Sequence, residues 1–400
     1  MAIDLVLLQP PDTVSWNPTM YFPLSLCYLA SVVEKAGYSV KVMDFRRAVG
    51  DLPEAKFYGF SCTTPQVVQA KEIAKRVKGI TIAGGAHPTL LPNDCIKHFD
   101  YVVVGEGEKI ILDILAGTVE KGIVKAPRIK NLNEIPYPDW TKVAHPFSNT
   151  LFAGERYGEG ELAATLIASR GCPFFCAYCA NLFRSPVVYR SVENIIGELL
   201  VLIEMGIKHF RFEDDNFTIH PDFAELCYAL KDLNIHYKCH TRSDLLLSKK
   251  AQLLKVSGCE ECGLGVESAD DRVLKINRKH QNTEQNAEAV KILENSHIRA
   301  KTYFMAGLPG ETEETLQLNM EFMRKNKPDK WTLSTFSPYP GCDVFNRPGY
   351  YGIEITNFDW SKWWNFCVDS FNHIIIGQTS EEMWSRYKRF YSWLREEKWR

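Results

Sequence analysis

The chain has 400 residues, of which 45% are hydrophobic, so it is long enough and apolar enough for two or three domains with cores of their own. Its net charge is −2 and 24% of its residues are charged, which gives no indication of nucleic acid as a partner. The first residues carry no basic segment, and no apolar run approaches the roughly 18 residues that span a bilayer. We therefore expect a cytoplasmic protein with no membrane span and no nucleic-acid partner.

Residues 1–124 predict a doubly wound, Rossmann-like parallel sheet. Short apolar runs alternate there with amphipathic stretches, which is the pattern of buried parallel strands joined by helices. The predicted strands are 3–9, 38–43, 57–62, 80–83 and 101–104. The predicted helices are 24–36, 65–77, 93–98 and 106–115. A ligand of such a sheet is expected above the carboxyl ends of the strands.

The loops that follow these strands carry small and polar residues. They are Pro10 and Pro11 after the first strand, Ser61, Thr63 and Thr64 after the third, Gly84 and Gly85 after the fourth, and Gly105, Glu106 and Gly107 after the fifth. Paired glycines let the backbone approach a bulky ligand, and hydroxyl groups can donate hydrogen bonds to it. Because no G-x-G-x-x-G motif follows the first strand, a nicotinamide cofactor is disfavoured. The alternative is a response-regulator-like domain in which these glycines only form turns.

A linker and a second alternation of strands and helices follow. The stretch 125–140 is rich in Pro and Asn and breaks both periodicities, so we place a linker at 125–155. Between 156 and 345 the predicted strands are 163–168, 209–213, 236–241, 260–266, 301–306 and 330–336. Six strand–helix units predict a partial (β/α)6 barrel of the TIM type, whose chemistry lies at the carboxyl ends of the strands.

Three cysteines follow the first barrel strand with the spacing C-x3-C-x2-C: Cys172, Cys176 and Cys179. A [4Fe–4S] cluster needs four ligands, so three cysteines leave one iron open to another molecule. Zinc would usually take a fourth Cys or His nearby, and none follows at a suitable spacing. The spacing therefore favours a cluster with an open iron over three ordinary buried thiols.

Polar residues follow the other barrel strands as well. They are Glu213 and Asp214, Arg242, Glu267 and Ser268, and Gly307 with the turn after it. Carboxylates suit a ribose diol or an α-amino group, and an Arg suits a carboxylate through its planar fork. Each of these residues alone is a weak signal, since solvated loop charges are common. Four such positions at successive strand ends, together with the cysteines, are a strong one.

The remaining cysteines leave two interpretations open. Cys259 and Cys262 form a C-x2-C pair that allows an auxiliary cluster with Cys239, Cys342 or Cys367. The alternative is that these thiols line the core around a strand. Twelve cysteines in a cytoplasmic chain indicate reduced thiols and metal ligands, not a disulfide scaffold.

The cysteine loop and the polar strand ends resemble those of the radical SAM superfamily. The resemblance implies that Cys172, Cys176 and Cys179 hold a [4Fe–4S] cluster and that Tyr178 contacts adenine. The residues that it implies for S-adenosylmethionine (SAM) are Phe174, Tyr178, Glu213, Asp214, Arg242, Glu267, Ser268 and Gly307. It also implies an electron donor such as flavodoxin or ferredoxin.

The first domain looks like the cobalamin-binding domain that precedes many radical SAM barrels. The residues that this resemblance implies for cobalamin are Pro10, Pro11, Trp16, Tyr21, Ser61, Thr63, Thr64, Gly84, Gly85, Gly105, Glu106 and Gly107. The loop 10–23 contains no histidine, so the Asp-x-His-x-x-Gly motif of cobalamin mutases is absent. The cobalt is therefore expected to lack a histidine lower ligand, and Trp16, Asn17 or Tyr21 would cover that face. A domain that has lost cobalamin and kept a structural role is the alternative.

The two resemblances together cover residues 1–345 and identify the chain as a member of the cobalamin-dependent radical SAM enzymes, methyltransferase type. They imply that a 5′-deoxyadenosyl radical removes hydrogen from an unactivated carbon, and that methylcobalamin donates the methyl group. No catalytic acid or base is assigned. The expected substrate is a peptide or protein side chain, or a small molecule.

Two other functions stay open at this point. One is a cobalamin-using cyclase or rearrangement enzyme, which adds no methyl group. The other is a regulator that senses cobalamin or iron–sulfur status, which a complete set of SAM-binding positions disfavours. Residues 346–400 are rich in Trp and predict a helical extension, in which the aromatic residues cover the barrel mouth or pack in a core.

Overall fold

The computed structural model describes residues 3–11, 22–46, 49–143, 162–366 and 369–397. The chain divides into two compact units, one of residues 1–165 with 359–363 and one of 166–358 with 364–400. Within the described ranges, no helix is both long enough and apolar enough to cross a membrane.

The first unit is built on a six-stranded parallel sheet with the order β2-β1-β3-β4-β5-β6. The strands are β1 Ile3–Gln9, β2 Val40–Asp44, β3 Ala55–Ser61, β4 Ile80–Gly84, β5 Tyr101–Val104 and β6 Gly122–Lys125. The helices are α1 Leu24–Lys35, α2 Val67–Ala74, α3 Ala86–Leu90, α4 Pro92–Cys95 and α5 Gly107–Leu115. The prediction of a doubly wound sheet is confirmed, and the order of the strands reverses between β1 and β3, where such folds bind ligands. The sixth strand is new, because β6 is a half-exposed edge strand without an apolar run.

Both faces of this sheet are buried. In β1, Leu5 and Leu7 pack in one apolar layer with α1 and α5, whereas Val6 and Leu8 pack in the opposite layer with α2. A strand that is covered on both faces needs apolar residues at every position, which explains the continuous run in the sequence.

A second six-stranded sheet, all of which except most of β7 belongs to the second unit, has the order β14-β13-β12-β11-β10-β7. Its strands are β7 Ala163–Leu166, β10 His209–Phe212, β11 His236–Thr241, β12 Cys259–Glu267, β13 Arg299–Ala306 and β14 Lys330–Thr335. A small antiparallel pair lies between the first two of them, β8 Ser169–Arg170 and β9 Val188–Tyr189. The helices between strands are α6 Val192–Glu204, α7 Phe223–Asp232, α8 Ser248–Val256, α9 Asp271–Ile276, α10 Thr283–Asn295 and α11 Glu313–Asn326. The strands follow one another in sequence order, which confirms the partial barrel.

Polar residues at helix starts position several of these elements. The side chain of Ser191 accepts a hydrogen bond from the backbone of Asn194 at the start of α6. Asn282 and Gln285 form a reciprocal capping box at the start of α10. Such caps satisfy backbone N–H groups that a helix leaves unpaired, and each contributes about 1 kcal/mol.

The two faces of the barrel sheet differ in polarity. On the outer face, Tyr237 packs against Phe212 and Phe217, and its hydroxyl lies 2.7 Å from Ser257 Oγ, next to α8. Lys238 and His240 alternate with Tyr237 along β11 and therefore point to the opposite face, which we call the inner face. The inner face is polar and charged, so the barrel is not filled by an apolar core alone.

The C-terminal region is only partly helical. It comprises α12 Asp343–Asn346, a hairpin of β15 Ile353–Ile355 and β16 His373–Ile375, and α13 Ser380–Glu396. Trp363 is fully buried, and the ring of Trp360 lies 5.4 Å from that of His87 in the first unit. Packing therefore accounts for these two aromatic residues. The two strands of the hairpin have three residues each, too few for a recognisable alternation.

Leu264→Ala tests the central position of β12. Leu264 is fully buried, so the substitution leaves a cavity and should lower the free energy of unfolding by about 2–5 kcal/mol. Leu247→Ala is the control, because Leu247 is 62% exposed and the change there should be below about 0.5 kcal/mol. Urea denaturation followed by tryptophan fluorescence measures both, and equal midpoints for the two variants would contradict the core assignment.

Candidate active site

The loop that carries the three cysteines is closed at its base by β8 and β9. Gly171 follows β8 with φ +111°, and a Cβ atom there would overlap the carbonyl oxygen of Phe183. The N–H of Cys172 donates to that same oxygen over 3.1 Å. The two arms of the loop approach so closely that only glycine fits at residue 171.

Arg184 and Asn277 brace the loop from two sides. The Arg184 guanidinium donates to the carbonyl oxygens of Phe174, over 2.7 Å, and Cys179, over 2.6 Å. The N–H of Ala177 donates to the carbonyl oxygen of Asn277 over 2.8 Å. The backbone around the cysteines is therefore fixed by the protein itself.

The three thiols suit a cluster better than a single ion. Cys176 is buried, and Cys172 and Cys179 are half-buried. Among the described residues, these sulfur atoms do not all lie within 4.8 Å of one another, whereas thiolates on one zinc ion lie closer together. Burial raises the pKa of the Cys172 thiol and raises that of Cys179 to about 11, so a bound cation has to displace these protons. The residues fit a [4Fe–4S] cluster.

Arg242, at the end of β11, lies against the cluster loop. Its Nη1 is 3.7 Å from Cys176 Sγ, and its guanidinium carbon lies 4.0 Å from the centre of the Phe174 ring. Its Nε donates to Asp244 Oδ1 over 2.9 Å, and its Nη2 donates to Asp244 Oδ2 over 3.0 Å. Nη2 also donates to the carbonyl oxygen of Lys279 over 2.6 Å. In this arrangement the guanidinium balances the negative charge of a cysteine thiolate and is not open to a second carboxylate.

Glu267 ends β12 in the left-handed region, at φ +63°, which is costly for a residue with a side chain. Its carboxylate pairs with Lys279 Nζ at 2.9 Å, and that ammonium lies 5.9 Å from the centre of the Tyr178 ring. Burial, and next the charge of Glu267, raise the pKa of Tyr178 well above its usual value. Tyr178, Glu267 and Lys279 thus form one group beside the cysteines.

The other predicted SAM residues lie at the expected strand ends with different surroundings. Glu213 pairs with Arg211 Nε at 2.8 Å, and burial raises the pKa of its carboxyl. The N–H of Gly307 donates to Glu311 Oε2 over 2.7 Å, and a Cβ atom at residue 307 would lie 2.6 Å from the Phe371 ring. Ser268 is buried and accepts a hydrogen bond from the Asp270 N–H over 3.1 Å.

Asp214 is only 3% exposed and serves the start of the cysteine loop. Its carboxylate accepts hydrogen bonds from the Ala168 N–H over 2.9 Å and from Ser169 Oγ over 2.5 Å. Burial raises the pKa of this carboxyl to about 6. Contact of Asp214, Ser268 and the other strand-end residues with SAM stays a prediction.

The sequence analysis missed Arg184, Asn277, Lys279, Asp244 and Gln66. Asn277 is distant in sequence from Ala177, which it holds. Arg184 lies five residues from Cys179 and Lys279 twelve residues from Glu267, and no known spacing pattern marks these separations. Asp244 lies two residues after Arg242, and that short separation of opposite charges is the one available signal.

In the first unit, Gln66 joins the loops after β1 and β3. Its Nε2 donates to the carbonyl oxygen of Pro10 over 3.0 Å, and its Oε1 accepts from Thr63 Oγ1 over 2.9 Å. Pro11 is buried beside Pro10. The hydroxyl of Thr64 lies 3.4 Å from His87 Nδ1. Polar atoms of both loops are thus held at the edge where the strand order reverses.

The glycine pair after β4 combines a tight turn with open space. Gly85 has φ +95°, and a Cβ atom there would lie 2.9 Å from both the N and the O atom of Cys62. At Gly84, a Cβ atom would meet nothing within 4 Å. The hydroxyls of Ser61 and Ser25 lie 3.5 Å apart at the end of the neighbouring strand. Open space lined by hydroxyl groups fits a large cofactor such as cobalamin.

The loop after β5 is tied to the chain that follows the sheet. Glu106 is buried, accepts a hydrogen bond from the Ile129 N–H over 2.6 Å and pairs with Arg128 at 2.5 Å. The N–H of Gly105 donates to Thr89 Oγ1 over 3.2 Å, and Gly107 opens α5. Contact of these residues with cobalamin stays a prediction, and the expected contacts Trp16, Asn17 and Tyr21 lie outside the described residues.

The auxiliary cluster is disfavoured by the position of its cysteines. Cys239, Cys259 and Cys262 are buried in neighbouring strands, with Cys239 Sγ 3.9 Å from Cys259 Sγ and 4.0 Å from Cys262 Sγ. Cys342 instead caps α12, accepting from the Phe345 N–H, and Cys367 lies outside the described residues.

Comparison with known proteins agrees with this geometry. The B12-binding domain model matches residues 18–115, and the radical SAM superfamily model matches residues 166–323. The chain therefore has a cobalamin-binding domain followed by a radical SAM domain.

An uncharacterized methyltransferase of Pyrococcus horikoshii is 29% identical over 98% of this chain and 93% of its own length. An anaerobic magnesium-protoporphyrin IX monomethyl ester cyclase of Rubrivivax gelatinosus is 28% identical over 92% of this chain and 73% of its own length. The structure of the radical SAM methyltransferase TsrM of Kitasatospora setae, with cobalamin and a [4Fe–4S] cluster bound, matches with a TM-score of 0.70 at 15% identity, over 90% of this chain and 78% of that one.

The chain thus combines a cobalamin-binding domain with a radical SAM domain, as the sequence predicted, and it is similar over nearly its whole length to a protein that is named a methyltransferase. Its cofactors are a [4Fe–4S] cluster, SAM and cobalamin, and its reaction needs a reductant and a substrate. It is an enzyme, and the alternative of a sensing regulator is set aside.

Gly171→Ala tests the close approach in the cysteine loop. The added methyl group collides with the Phe183 carbonyl, so we expect loss of most of the bound iron and sulfide while the fold is kept. Gly117→Ala is the matched control, because Gly117 also has positive φ, at +71°, but open space around it. Gly117→Ala should lower the free energy of unfolding by about 1 kcal/mol and leave the iron content unchanged. Iron and sulfide assays after anaerobic reconstitution measure the cluster content of both variants. Full iron content in Gly171→Ala would show that the cluster does not need glycine at residue 171.

Asp214→Asn tests the buried carboxyl. Because the pKa of Asp214 is about 6 in the folded chain and near 3.8 when exposed, its contribution to stability is present below pH 3.8 and is lost as the pH rises through 6. Asn does not titrate, so the stability of the variant relative to the parent should rise by roughly 2–3 kcal/mol between pH 4 and pH 7. Urea denaturation of both proteins without cluster measures this difference. A difference that does not change with pH would contradict the raised pKa.

Proposed function

We propose that this chain is a C-methyltransferase that removes a hydrogen atom from an unactivated carbon of its substrate and places a methyl group on that carbon. The observation that carries the proposal is a cysteine loop with three ligands for a cluster, joined in one chain to a cobalamin-binding domain. The Pyrococcus relative, which is named a methyltransferase and aligns with nearly the whole chain, supports methyl transfer as the reaction type.

When bound, the cluster and SAM supply a hydrogen-abstracting radical, and cobalamin supplies the methyl group. The residues around the cysteines hold and orient these groups. Arg242 and Arg184 place positive charge and hydrogen-bond donors beside the cluster loop, which favours thiolates over thiols. The Arg242 guanidinium also stacks on the Phe174 ring and so fixes the position of that ring in the cysteine loop.

The group of Tyr178, Glu267 and Lys279 is proposed to bind the adenosine part of SAM. The Tyr178 ring offers a flat apolar surface, and the neighbouring ion pair offers a carboxylate for hydroxyl groups. Glu213, which follows β10, is proposed to accept a hydrogen bond from the ribose or the amino group of SAM. In this arrangement the left-handed backbone of Glu267 aims its carboxylate.

The reductant is proposed to be a small electron carrier such as flavodoxin or ferredoxin. The cysteine loop exposes apolar surface for it, because Phe175 is 54% exposed and Pro173 beside it is exposed as well. Electron transfer to the cluster requires a donor at short range, which a carrier seated on this loop would provide.

A cyclase is the second candidate, because the Rubrivivax relative of similar identity is named as one. The two reactions differ in the product, since methylation adds a carbon to the substrate and cyclisation does not. The substrate itself is proposed to be an organic molecule that enters the barrel, and a peptide or protein side chain is the form that the sequence favours.

Two substitutions separate the two cofactors experimentally. Cys176→Ala removes a cluster ligand, so we expect corrinoid binding without formation of 5′-deoxyadenosine after dithionite reduction with SAM. Gly85→Val fills the turn against Cys62, so we expect 5′-deoxyadenosine without bound corrinoid. Gly37→Val is the control in the same unit, with φ +88° and open space, and should keep both.

The parent protein, reconstituted anaerobically with iron, sulfide and hydroxocobalamin, should form 5′-deoxyadenosine and S-adenosylhomocysteine. Visible spectra and mass spectrometry measure the corrinoid and the products. A parent protein that cleaves SAM but binds no corrinoid would exclude methyl transfer by this mechanism. Corrinoid without S-adenosylhomocysteine would favour the cyclase.

A further inference from the structure

The inner face of the barrel carries more positive than negative charge. Besides Arg299, which pairs with Glu260, its cations are Arg211 in β10, Lys238 in β11, Lys301 in β13 and Lys330 in β14. Its carboxylates are Glu213 and Glu261. We call these six residues the inner-face cluster. Four cations face two carboxylates, an excess of two positive charges in a partly buried place.

Most of this charge is paired. Glu261 lies 3.0 Å from Lys330 Nζ and 3.7 Å from Lys238 Nζ, and its side chain is 7% exposed. Burial acts to raise the pKa of the Glu261 carboxyl, but the lysines around it lower that pKa to about 2. Glu213 pairs with Arg211 in the same way at 2.8 Å. Each carboxylate is therefore already committed to cations of the cluster.

Lys301 has no such partner in the described part of the chain, where no carboxylate oxygen lies within 4 Å of its Nζ. Its ammonium lies 5.0 Å from the centre of the Tyr303 ring. Burial lowers its pKa to about 8; the charge of Glu261 acts against this, and the charges of Arg211, Lys238 and Lys330 add to it. A buried ammonium that has cations around it and no carboxylate in direct contact is destabilising, and a bound anion would relieve that cost.

The neighbouring histidine does not supply the missing charge. His240 Nε2 lies 3.1 Å from Arg211 Nη2, and its ring lies 5.5 Å from the Tyr303 ring. Burial and the charges of Arg211 and Lys301 lower the pKa of His240 to about 3, so it is neutral near pH 7. Arg211, His240, Lys301 and Tyr303 each keep part of their surface accessible, so a ligand can reach them.

We propose that the inner-face cluster binds an anionic group of the substrate, a carboxylate or a phosphate, between Lys301 and Arg211 beside Tyr303. This inference rests on the proposed function, because it names the class of substrate for the same barrel. A Lys or Arg side chain in this setting forms a charge-assisted hydrogen bond to such an anion, which is among the stronger polar contacts.

The register of the strands places the site near the ends of two of them. Lys301 pairs in register with Gly263, and Gly263 pairs with His240, which is one residue before the end of β11. Arg211 is likewise one residue before the end of β10. An anionic group held between Lys301 and Arg211 therefore lies close to the ends of β10 and β11, and a peptide fits if it presents a carboxylate there.

Binding of simple anions to the holoenzyme tests the proposal. The probes are hexanoate and hexyl phosphate, with hexanamide as the neutral control, titrated calorimetrically into reconstituted protein that holds cluster, cobalamin and SAM. The parent should bind at least one anion about tenfold more tightly than the amide. Preference for hexanoate assigns a carboxylate and preference for hexyl phosphate assigns a phosphate.

Three variants locate the binding. Lys301→Gln should weaken anion binding about tenfold and leave amide binding unchanged, whereas Lys301→Arg should keep the preference for anions. Lys291→Gln, at an exposed position of α10, should behave as the parent. Equal affinity for anion and amide, or anion binding that Lys301→Gln leaves unchanged, would overturn the proposal.

A second readout separates this proposal from the proposed function. Lys301→Gln should still form 5′-deoxyadenosine from SAM in the absence of substrate, which also shows that it folds. If the anion preference is found but the parent forms no S-adenosylhomocysteine, the binding site stands and methyl transfer fails. If methyl transfer is found without the anion preference, the inner-face cluster is only a structural charge network.

Discussion

Three thiolates in one short loop concentrate negative charge, and the rest of the barrel is arranged around the need to hold and balance it. Gly171 lets the two arms of the loop touch, and Arg184 ties the carbonyl groups of the arms together. Arg242 then places its guanidinium against Cys176 and is itself held by Asp244. Loss of the glycine would disturb the shape of the loop, and loss of the guanidinium groups would make the thiolates harder to form.

Charge is balanced differently around the cysteine loop and in the inner-face cluster. Around the loop the charges are paired, as in Arg242 with Asp244 and Lys279 with Glu267. In the inner-face cluster, cations outnumber carboxylates, and Lys301 carries no ion pair among the described residues. Paired charges orient groups without attracting a ligand, whereas an unbalanced cation in a partly buried place favours an anion. The proposed substrate site follows from this contrast.

Much of the fold could be predicted from periodicity. Most strands of the first sheet are apolar runs because both of their faces are buried, whereas the barrel strands alternate buried residues with polar ones of the inner face. The loops after the strands carry the Gly, Ser and Cys residues that a site needs. The edge strand β6 and the hairpin of β15 and β16 could not be predicted, since short half-exposed strands leave no pattern. The C-terminal region was expected to be helical, and only α13 is a long helix there.

The sequence by itself determined the cluster, because ligand number and spacing are properties of a local stretch such as Cys172 to Cys179, and the family resemblance of its loops implied SAM and cobalamin. Only the tertiary structure decided what the strand-end residues contact. It placed Asp214 under the cysteine loop and engaged the fork of Arg242 with Asp244, where the sequence had indicated ligands for SAM. It also gathered Arg211, Lys238, Lys301 and Lys330 from four strands. Side chains that are far apart in the chain meet only when parallel strands align in register, and no local pattern records that alignment.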